Sequence, residues 1–139
     1  MAFENIPFIQ AHICVKGGVE AIEFYKKALG AENTFFKLHD DGERVMHANL
    51  AIYGGEVMLH DEFPEHQSTV RAPTTLGGTS FAINIIMKSA VELDAAYARA
   101  VSVGATSIME PGDMFWGARY ARIADPYGHV WAFNAAIGS

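Results

Sequence analysis

The chain has 139 residues, of which 50% are hydrophobic and 19% are charged, so its length and composition fit one folded domain and exclude a disordered chain. Its net charge is −6, and the ten lysines and arginines are scattered along the sequence, which argues against nucleic acid and an anionic membrane as partners. A single cysteine excludes an intramolecular disulfide, and neither a signal-peptide pattern nor an 18-residue uncharged apolar run is present, so we expect a soluble cytoplasmic protein.

The first half of the chain predicts the element order β-α-β-β-β. Residues 7–15 are apolar and β-branched, as in a strand. Over residues 19–29 the apolar positions recur every three or four residues and Gly30 follows, which predicts an amphipathic helix with a glycine stop. Three further strands are predicted at residues 33–39, 45–53 and 56–60.

The second half repeats this order after an irregular segment. Residues 63–78 contain two prolines, a Gly-Gly pair and several serines and threonines without a hydrophobic period, which is typical of a linker or a surface lid. Ser89 with Glu92 three positions later predicts the capped start of a helix that extends to about residue 103, where Gly104 ends it. The predicted strands of this half are residues 79–87, 106–109, 115–124 and 129–135.

The two halves can be aligned with each other. Tyr25 falls on Tyr97 at an offset of 72 positions, and Gly54 falls on Gly128 at an offset of 74. The offset changes because the second helix has two extra residues, and neither half is long enough to bury a sheet of its own. We therefore predict a single domain over residues 1–139, built from a βαβββ module at residues 6–62, a linker at residues 63–78 and a second module at residues 79–136.

Three segments carry a family resemblance: VEAIEFYKKALGA, VMLHDEFPE and FWGARYARIADPYGHVWAF. Together they resemble the vicinal oxygen chelate superfamily, which groups glyoxalases, extradiol dioxygenases and fosfomycin- and bleomycin-resistance proteins, and most of all its PhnB-like branch. The resemblance implies an α+β fold in which two βαβββ modules form a curved eight-stranded mixed sheet around a cleft. It also implies a homodimer that completes or covers the pocket. Because one fold hosts many reactions, the resemblance does not identify a reaction.

Metal-dependent members of this superfamily bind a divalent ion through His, Glu or Gln side chains on the first and last strands of each module. The resemblance carries these four ligand positions onto Gln10, Met58, Ala82 and Ala132. Alanine offers no side-chain ligand, and a thioether is a poor ligand for a hard or borderline divalent ion. We therefore predict that the metal site of the superfamily is not retained and that the protein uses no metal cofactor.

Two histidines leave an alternative open. His12 and His60 lie two residues beyond Gln10 and Met58, so strand alternation puts them on the same cleft-facing side. They either line a polar pocket or form, with Gln10, a shifted site for a divalent metal ion. The remaining histidines show no ligand spacing and are expected to be ordinary surface or turn residues: His39, His47, His66 and His129. His129 directly follows the turn glycine and is expected to hold the hairpin.

Two further groups are interpreted as structural. Cys14 stands in an apolar strand, where a free cysteine is expected to be an inert small hydrophobe. Asp61 and Glu62 are paired carboxylates at a strand end, and their side chains point in opposite directions because neighbouring strand residues alternate. We expect this pair to form a solvated rim.

The segment MFWGARY, residues 114–120, is the best candidate wall of a ligand pocket. Trp116 and Tyr120 fall on one strand face and Arg119 on the other. In one interpretation Trp116 stacks on a flat ligand while Arg119 or Arg122 pairs with a carboxylate or phosphate. In the other, Trp116 is a core or dimer-interface anchor and Arg119 braces the loop. The sequence leaves both open.

Two classes of function follow from these patterns. The first is a glyoxalase/bleomycin-resistance-like protein that binds a small organic molecule in the cleft without the superfamily metal site. The second is a divalent-metal-dependent lyase, isomerase or dioxygenase with a shifted ligand set around His12 and His60. Whether any reaction is catalysed stays open. The residues expected to contact the ligand are Gln10, His12, Met58, His60, Trp116, Arg119, Tyr120 and Arg122.

Overall fold

The computed structural model describes residues 9–137, and its elements follow the predicted order in both halves. Residues 7 and 8 of the first predicted strand lie outside the described residues. The first half contains β1 (Ala11–Val15), α1 (Gly18–Leu29), β2 (Glu32–Leu38), β3 (Val45–Ile52) and β4 (Gly55–Asp61). A short helix, α2 (Pro73–Leu76), lies between the halves, and the second half contains β5 (Ala82–Ile86), α3 (Ala90–Ser102), β6 (Thr106–Asp113), β7 (Ala118–Ala124) and β8 (Val130–Ala136).

The eight strands form two four-stranded sheets of the same topology. The strand orders are β1-β4-β3-β2 and β5-β8-β7-β6. β1 runs parallel to β4 and β5 runs parallel to β8, whereas the other neighbours are antiparallel. This arrangement confirms the predicted α+β fold of two βαβββ modules. No hydrogen-bonded ladder joins the two sheets within residues 9–137, so the predicted eight-stranded surface consists of two separate ladders.

The strand register of the two halves is also the same. His12 stands beside Met58 in the first sheet, and Asn84 stands beside Ala132 in the second. These pairs are related by the offsets of 72 and 74 positions that align the helices and the turns. The internal repeat therefore includes both the order of the elements and the pairing of individual residues between the parallel strands.

The two long helices pack against each other, and each covers one face of its own sheet. Apolar side chains at helical spacing form the buried stripe of α1, as the sequence predicts. Large aromatic side chains contribute most of the buried area per residue. The shared core takes its largest fully buried side chains from both halves: Tyr25, Leu50, Leu59, Leu93, Trp131 and Phe133. Among the described helices, none is long and apolar enough to cross a membrane.

Asp125 of the Asp-Pro-Tyr-Gly turn ties the second half to α1. Its carboxylate accepts hydrogen bonds from the Tyr25 hydroxyl at 2.5 Å and from Trp131 Nε1 at 2.8 Å. It also accepts from the main-chain N–H groups of Tyr127 and His129 at 2.8 and 3.0 Å. Burial, followed by the neighbouring Asp125, raises the pKa of Tyr25 well above its ordinary value, so this hydroxyl stays protonated and donates. The turn is therefore a structural joint.

His129 is part of the same joint and helps to hold the hairpin, as expected, but it is buried rather than a surface residue. The side chain is buried, with 4% of the residue exposed. Its Nε2 lies 2.7 Å from the carbonyl oxygen of Cys14, and a carbonyl can only accept, so the ring donates. The bond links the start of β8 to β1 across 115 residues.

Asp61 caps a helix, and the expectation that it lies on a solvated rim is wrong. Only 4% of the residue is exposed. Its carboxylate accepts from the main-chain N–H groups of Gly17, Gly18 and Val45 at 2.7–3.1 Å. Gly17, the residue before α1, makes no capping bond of its own. Asp61 therefore satisfies the free N–H groups at the start of α1 from a distant strand and complements the helix dipole there.

Glu62 points the other way, as expected, and anchors the linker. It accepts from the main-chain N–H of Ala72 at 3.1 Å and from the Thr75 hydroxyl at 2.8 Å, at the start of α2. Pro73 packs against the second half so closely that a Cβ on Gly128 would lie 2.6 Å from the proline Cβ. The linker at residues 63–78 thus contains a 3₁₀ turn and a short helix that docks on the second half.

Candidate functional site

Three histidines lie together on the face of the first sheet that is turned away from α1. The ring of His12 is 4.6 Å from that of His60 and 5.5 Å from that of His47, centroid to centroid. We refer to these three residues as the histidine face. His12 and His60 were predicted to share a face, and His47, expected to be an ordinary surface or turn residue, lies half-buried on β3 beside them. The β3–β4 register is the signal that could have identified His47. It sets Asn49 beside Met58, and His47, two residues before Asn49, lies on the same face of the sheet.

Hydrogen bonds orient two of these rings. Asn49 donates through Nδ2 to Glu56 Oε1 at 2.8 Å, so its Oδ1 faces His47 and accepts from His47 Nε2 at 2.6 Å. His60 Nδ1 donates to the carbonyl oxygen of Asp61 at 2.6 Å. The remaining nitrogens, His47 Nδ1 and His60 Nε2, can therefore accept when the rings are neutral.

The third ring, His12, is held in its neutral form. Burial, followed by the neighbouring His60 and His47, lowers the pKa of His12 below its ordinary value of 6.5. Near neutral pH His12 therefore offers an uncharged imidazole, which can act as a hydrogen-bond partner or as a metal ligand.

A groove runs beside the histidine face, between β1 and the linker. It has a volume of about 400 Å³ and is lined by His12, Cys14, Arg71, Leu76 and Phe81 among others. This volume falls within the range of about 300–1,000 Å³ that small-molecule pockets have. Burial raises the pKa of the Cys14 thiol to about 12, so the cysteine is a protonated, apolar part of the wall. The groove thus combines apolar surface with an imidazole and a guanidinium.

The second sheet carries an aromatic and cationic group on the face turned away from α3. Arg122 Nε donates to the Tyr120 hydroxyl at 3.0 Å, and the guanidinium lies 5.6 Å from the centre of the Tyr120 ring. The Trp116 ring meets Tyr120 edge to face at 5.9 Å. Within residues 9–137, Arg122 forms no ion pair with a carboxylate. We refer to these three residues as the arginine face.

Trp116 is placed by a turn, and the predicted strand at residues 115–124 is wrong at its start. β7 begins at Ala118, and Gly117 before it has a φ of +86°, which a glycine adopts without strain. The preceding strand β6 is longer than predicted and contains Pro111, which is tolerated because β6 is the edge strand of the sheet. Trp116 is 53% exposed, so it is not a core residue of this chain.

Arg119 points to the opposite face and braces α3. Its Nε donates to Asp94 Oδ1 at 2.7 Å and its Nη1 donates to Asp113 Oδ1 at 3.0 Å. Both carboxylates neutralise the guanidinium on the helix side of the sheet. Arg119 therefore lies outside the arginine face, and of the two arginines considered from the sequence only Arg122 is available to a ligand there.

The four positions that hold metal in related proteins do not supply a metal-binding set here. Met58 and Ala132 occupy the last strands, and Ala132 stands between Asn84 and Arg122 in the ladder. Gln10 Nε2 is buried and has no hydrogen-bond partner among the described residues. With alanine at residues 82 and 132, one amide and one thioether are the only donors at the four positions, and these do not fit a divalent ion.

Residues 8–133 match the family model of the Glyoxalase/Bleomycin resistance protein/Dioxygenase superfamily. An uncharacterized protein of Mycobacterium bovis, Mb0911c, is 36% identical over 138 residues, which cover 99% of this chain and 88% of that protein. The structure of TioX from Micromonospora sp. ML1 has a TM-score of 0.70 and 19% identity, and the match covers 96% of this chain and 98% of TioX. The structure of the PhnB protein from Bacillus cereus has a TM-score of 0.69 and 19% identity. The match covers 94% of this chain and 100% of that protein.

Proposed function

Because the chain belongs to the glyoxalase/bleomycin resistance protein/dioxygenase superfamily, we propose that it binds a small organic molecule on the open faces of its sheets without the metal centre of metal-dependent members. One observation carries the proposal. By the family resemblance, Met58, Ala82 and Ala132 occupy positions where those members place metal ligands, and none of these side chains is a good ligand for a divalent ion. The open faces also carry imidazole and guanidinium groups, and a few such polar groups beside apolar surface suit an organic ligand.

The arginine face indicates the chemistry of that ligand. Arg122 has its guanidinium beside an aromatic ring and forms no carboxylate ion pair within the described chain. A guanidinium pairs strongly with a carboxylate or phosphate, and the Trp116 and Tyr120 rings offer apolar surface next to it. The proposed ligand is therefore a flat molecule that carries one anionic group.

The proposal includes a homodimer. Within residues 9–137, no hydrogen bond, ion pair or ring contact joins the histidine face to the arginine face. A second copy that sets its arginine face against the histidine face of the first would enclose the ligand from both sides. A cytoplasmic location likewise stays a prediction.

The two arginines of β7 supply a matched experiment. The fluorescent aromatic sulfonate 1-anilinonaphthalene-8-sulfonate serves as the probe, titrated into protein stripped of metal with EDTA. Loss of a charge-assisted hydrogen bond costs about 1.5–3 kcal/mol, so Arg122→Met should weaken binding roughly 10- to 100-fold. Arg119→Met should leave the affinity unchanged, because the Arg119 guanidinium is already paired with Asp94 and Asp113. Equal affinities of the wild type and the Arg122→Met variant would overturn the proposal.

A second candidate function is a divalent-metal-dependent lyase, isomerase or dioxygenase with a shifted ligand set. The observation in its favour is the contact between the His12 and His60 rings at 4.6 Å, with His47 beside them and Gln10 directly before β1. Elemental analysis after purification without added metal separates the two functions. Stoichiometric nickel, zinc, iron or manganese that disappears in His12→Ala or His60→Ala would favour the metal-dependent function over metal-free binding.

A further inference from the structure

A second group of histidines lies where the linker meets the first sheet. His39 directly follows β2, and Glu65 and His66 belong to the 3₁₀ turn Pro64–His66. Each of the three offers one ligand atom, and these atoms all lie within 4.8 Å of one another. The three residues come from segments that are separated by 26 positions in the sequence, so the fold, not local spacing, brings them together.

The surrounding contacts hold the three side chains in place. The Phe63 ring packs against both imidazoles, at 5.1 Å from His39 and 5.8 Å from His66. Arg44 donates to both oxygens of Glu65, at 3.0 and 2.5 Å, and its guanidinium lies 4.6 Å above the Phe63 ring. A carboxylate has further lone pairs after a bidentate contact with arginine. Glu65 is thus positioned by Arg44 and can still bind a cation.

The charge of this region favours a cation. The segment 39–44 contains Asp40, Asp41 and Glu43 beside Arg44, and with Glu65 the group has four carboxylates for one guanidinium. The negative potential of such a group raises the local concentration of divalent ions.

Asp41 is placed to support His39 as a ligand. Its main-chain N–H donates to His39 Nδ1 at 3.2 Å, and its carboxylate Oδ2 lies 3.5 Å from the same nitrogen. The main-chain N–H groups of Glu43 and Arg44 donate to Asp41 Oδ1 at 2.9 and 3.0 Å, and Arg44 Nε donates to Oδ2 at 2.6 Å, so the carboxylate is held in place. If Nε2 were to bind a metal, the ring proton would move from Nε2 to Nδ1, which would give up the bond from the Asp41 N–H and donate to Oδ2 instead. A carboxylate behind a histidine is a common support for metal ligands.

We propose that His39, Glu65 and His66 form a zinc-binding site that fastens the linker to the β2–β3 turn. Two imidazoles and one carboxylate are a donor set that zinc uses, with a fourth position for water. No ion is present in the structure. The site lies apart from the four superfamily positions and shares no residue with the histidine face or the arginine face, so it is independent of the proposed function.

Calorimetric titration of zinc chloride into EDTA-treated, dialysed protein tests the proposal. We expect one equivalent to bind. His39→Ala and His66→Ala should each weaken binding by at least about 10- to 100-fold, the cost of losing only an outer-shell partner, because each removes a ligand itself. Glu65→Gln and Glu43→Gln remove the same charge from the same region, yet only Glu65→Gln should weaken binding. Circular dichroism checks that each variant is folded.

Hydrogen exchange is a second measurement of the site, and removing a charge elsewhere in this region would not change its result. Zinc should slow amide exchange over residues 63–67 in the wild type and leave it unchanged in His66→Ala. The proposal is overturned if zinc does not bind at one equivalent, or if Glu43→Gln weakens binding as much as Glu65→Gln. It is also overturned if binding is lost in His12→Ala and kept in His39→Ala, which would assign the ion to the histidine face.

Discussion

The two halves of the molecule share topology and register but carry different chemistry on their open faces. His12 and His60 of the first sheet correspond to Asn84 and Asn134 of the second by the internal repeat. The histidine rings lie 4.6 Å apart, whereas Asn134 Nδ2 donates to Asn84 Oδ1 at 2.8 Å. One half therefore presents groups that bind protons or metals, and the other presents an amide pair beside Arg122.

This difference shows which positions the fold constrains. The side chains under α1 and α3 interlock in one core, where a change of volume is costly. The open faces are not part of that core, so their residues can diverge without loss of the fold. The chemistry of the two halves is therefore independent of the symmetry of their backbones.

The two long helices differ in how they begin. Ser89 caps α3 by accepting from the Glu92 N–H at 3.1 Å, within four residues of sequence. α1 has glycine at the same position and depends on Asp61, which is 43 residues away from Gly18. The start of α3 is therefore encoded by neighbouring residues, whereas the start of α1 depends on the tertiary structure.

The largest effect is expected at Asp125, which joins the halves. Asp125→Ala leaves the Tyr25 hydroxyl and Trp131 Nε1 buried without an acceptor. We expect the free energy of unfolding to fall by about 3–5 kcal/mol, since each orphaned buried group costs about 1–3 kcal/mol. Urea unfolding measures this loss, with the exposed Asp40→Ala as control, expected within about 0.5 kcal/mol of the wild type. A loss below about 1 kcal/mol would show that the joint is not stabilising.

An intermediate effect is expected at the first residue of each helix. A Cβ at Gly18 would lie 2.5 Å from Asp61 Oδ2 and 2.7 Å from Val45 Cγ2, so Gly18→Ala should destabilise the protein by about 1–3 kcal/mol. The equivalent residue of α3 is Ala90, and Ala90→Gly should cost no more than about 1 kcal/mol. Chemical denaturation of both variants checks the ranking, and equal effects would contradict the tertiary cap on α1.

The smallest effect concerns pH. The lowered pKa of His12 means that the unfolded chain binds a proton at a higher pH than the folded protein does. Stability should therefore be lost as the pH falls below the ordinary value of 6.5 and through the lowered folded value. The His12→Asn variant carries the residue that the second half has at the equivalent position, Asn84. We expect this variant to lose less stability between pH 7 and pH 5 than the wild type does. Denaturation curves at four pH values measure the two slopes, and parallel slopes would contradict the role of His12.

Local patterns in the sequence account for most of the fold. The apolar period and Gly30 predict α1, Ser89 and Glu92 predict the start of α3, and strand alternation places His12 and His60 on one face. Such signals succeed because the hydrogen bonds and the periodicity that produce them lie within a few consecutive residues. The internal repeat adds the topology, since the two halves must fold alike.

The site depended on contacts that no local pattern encodes. His47 joins the histidine face through the β3–β4 register, and Asp61 was expected on a rim because its partners are 16 to 44 residues away. The two arginines of β7 differ because Asp94 of α3 pairs with Arg119, whereas no carboxylate within residues 9–137 pairs with Arg122. The sequence by itself determined the modules, their helices and the family. Only the tertiary structure decided which polar side chains of residues 9–137 have hydrogen-bond or ion-pair partners, because those partners come from distant segments that meet across the packed halves.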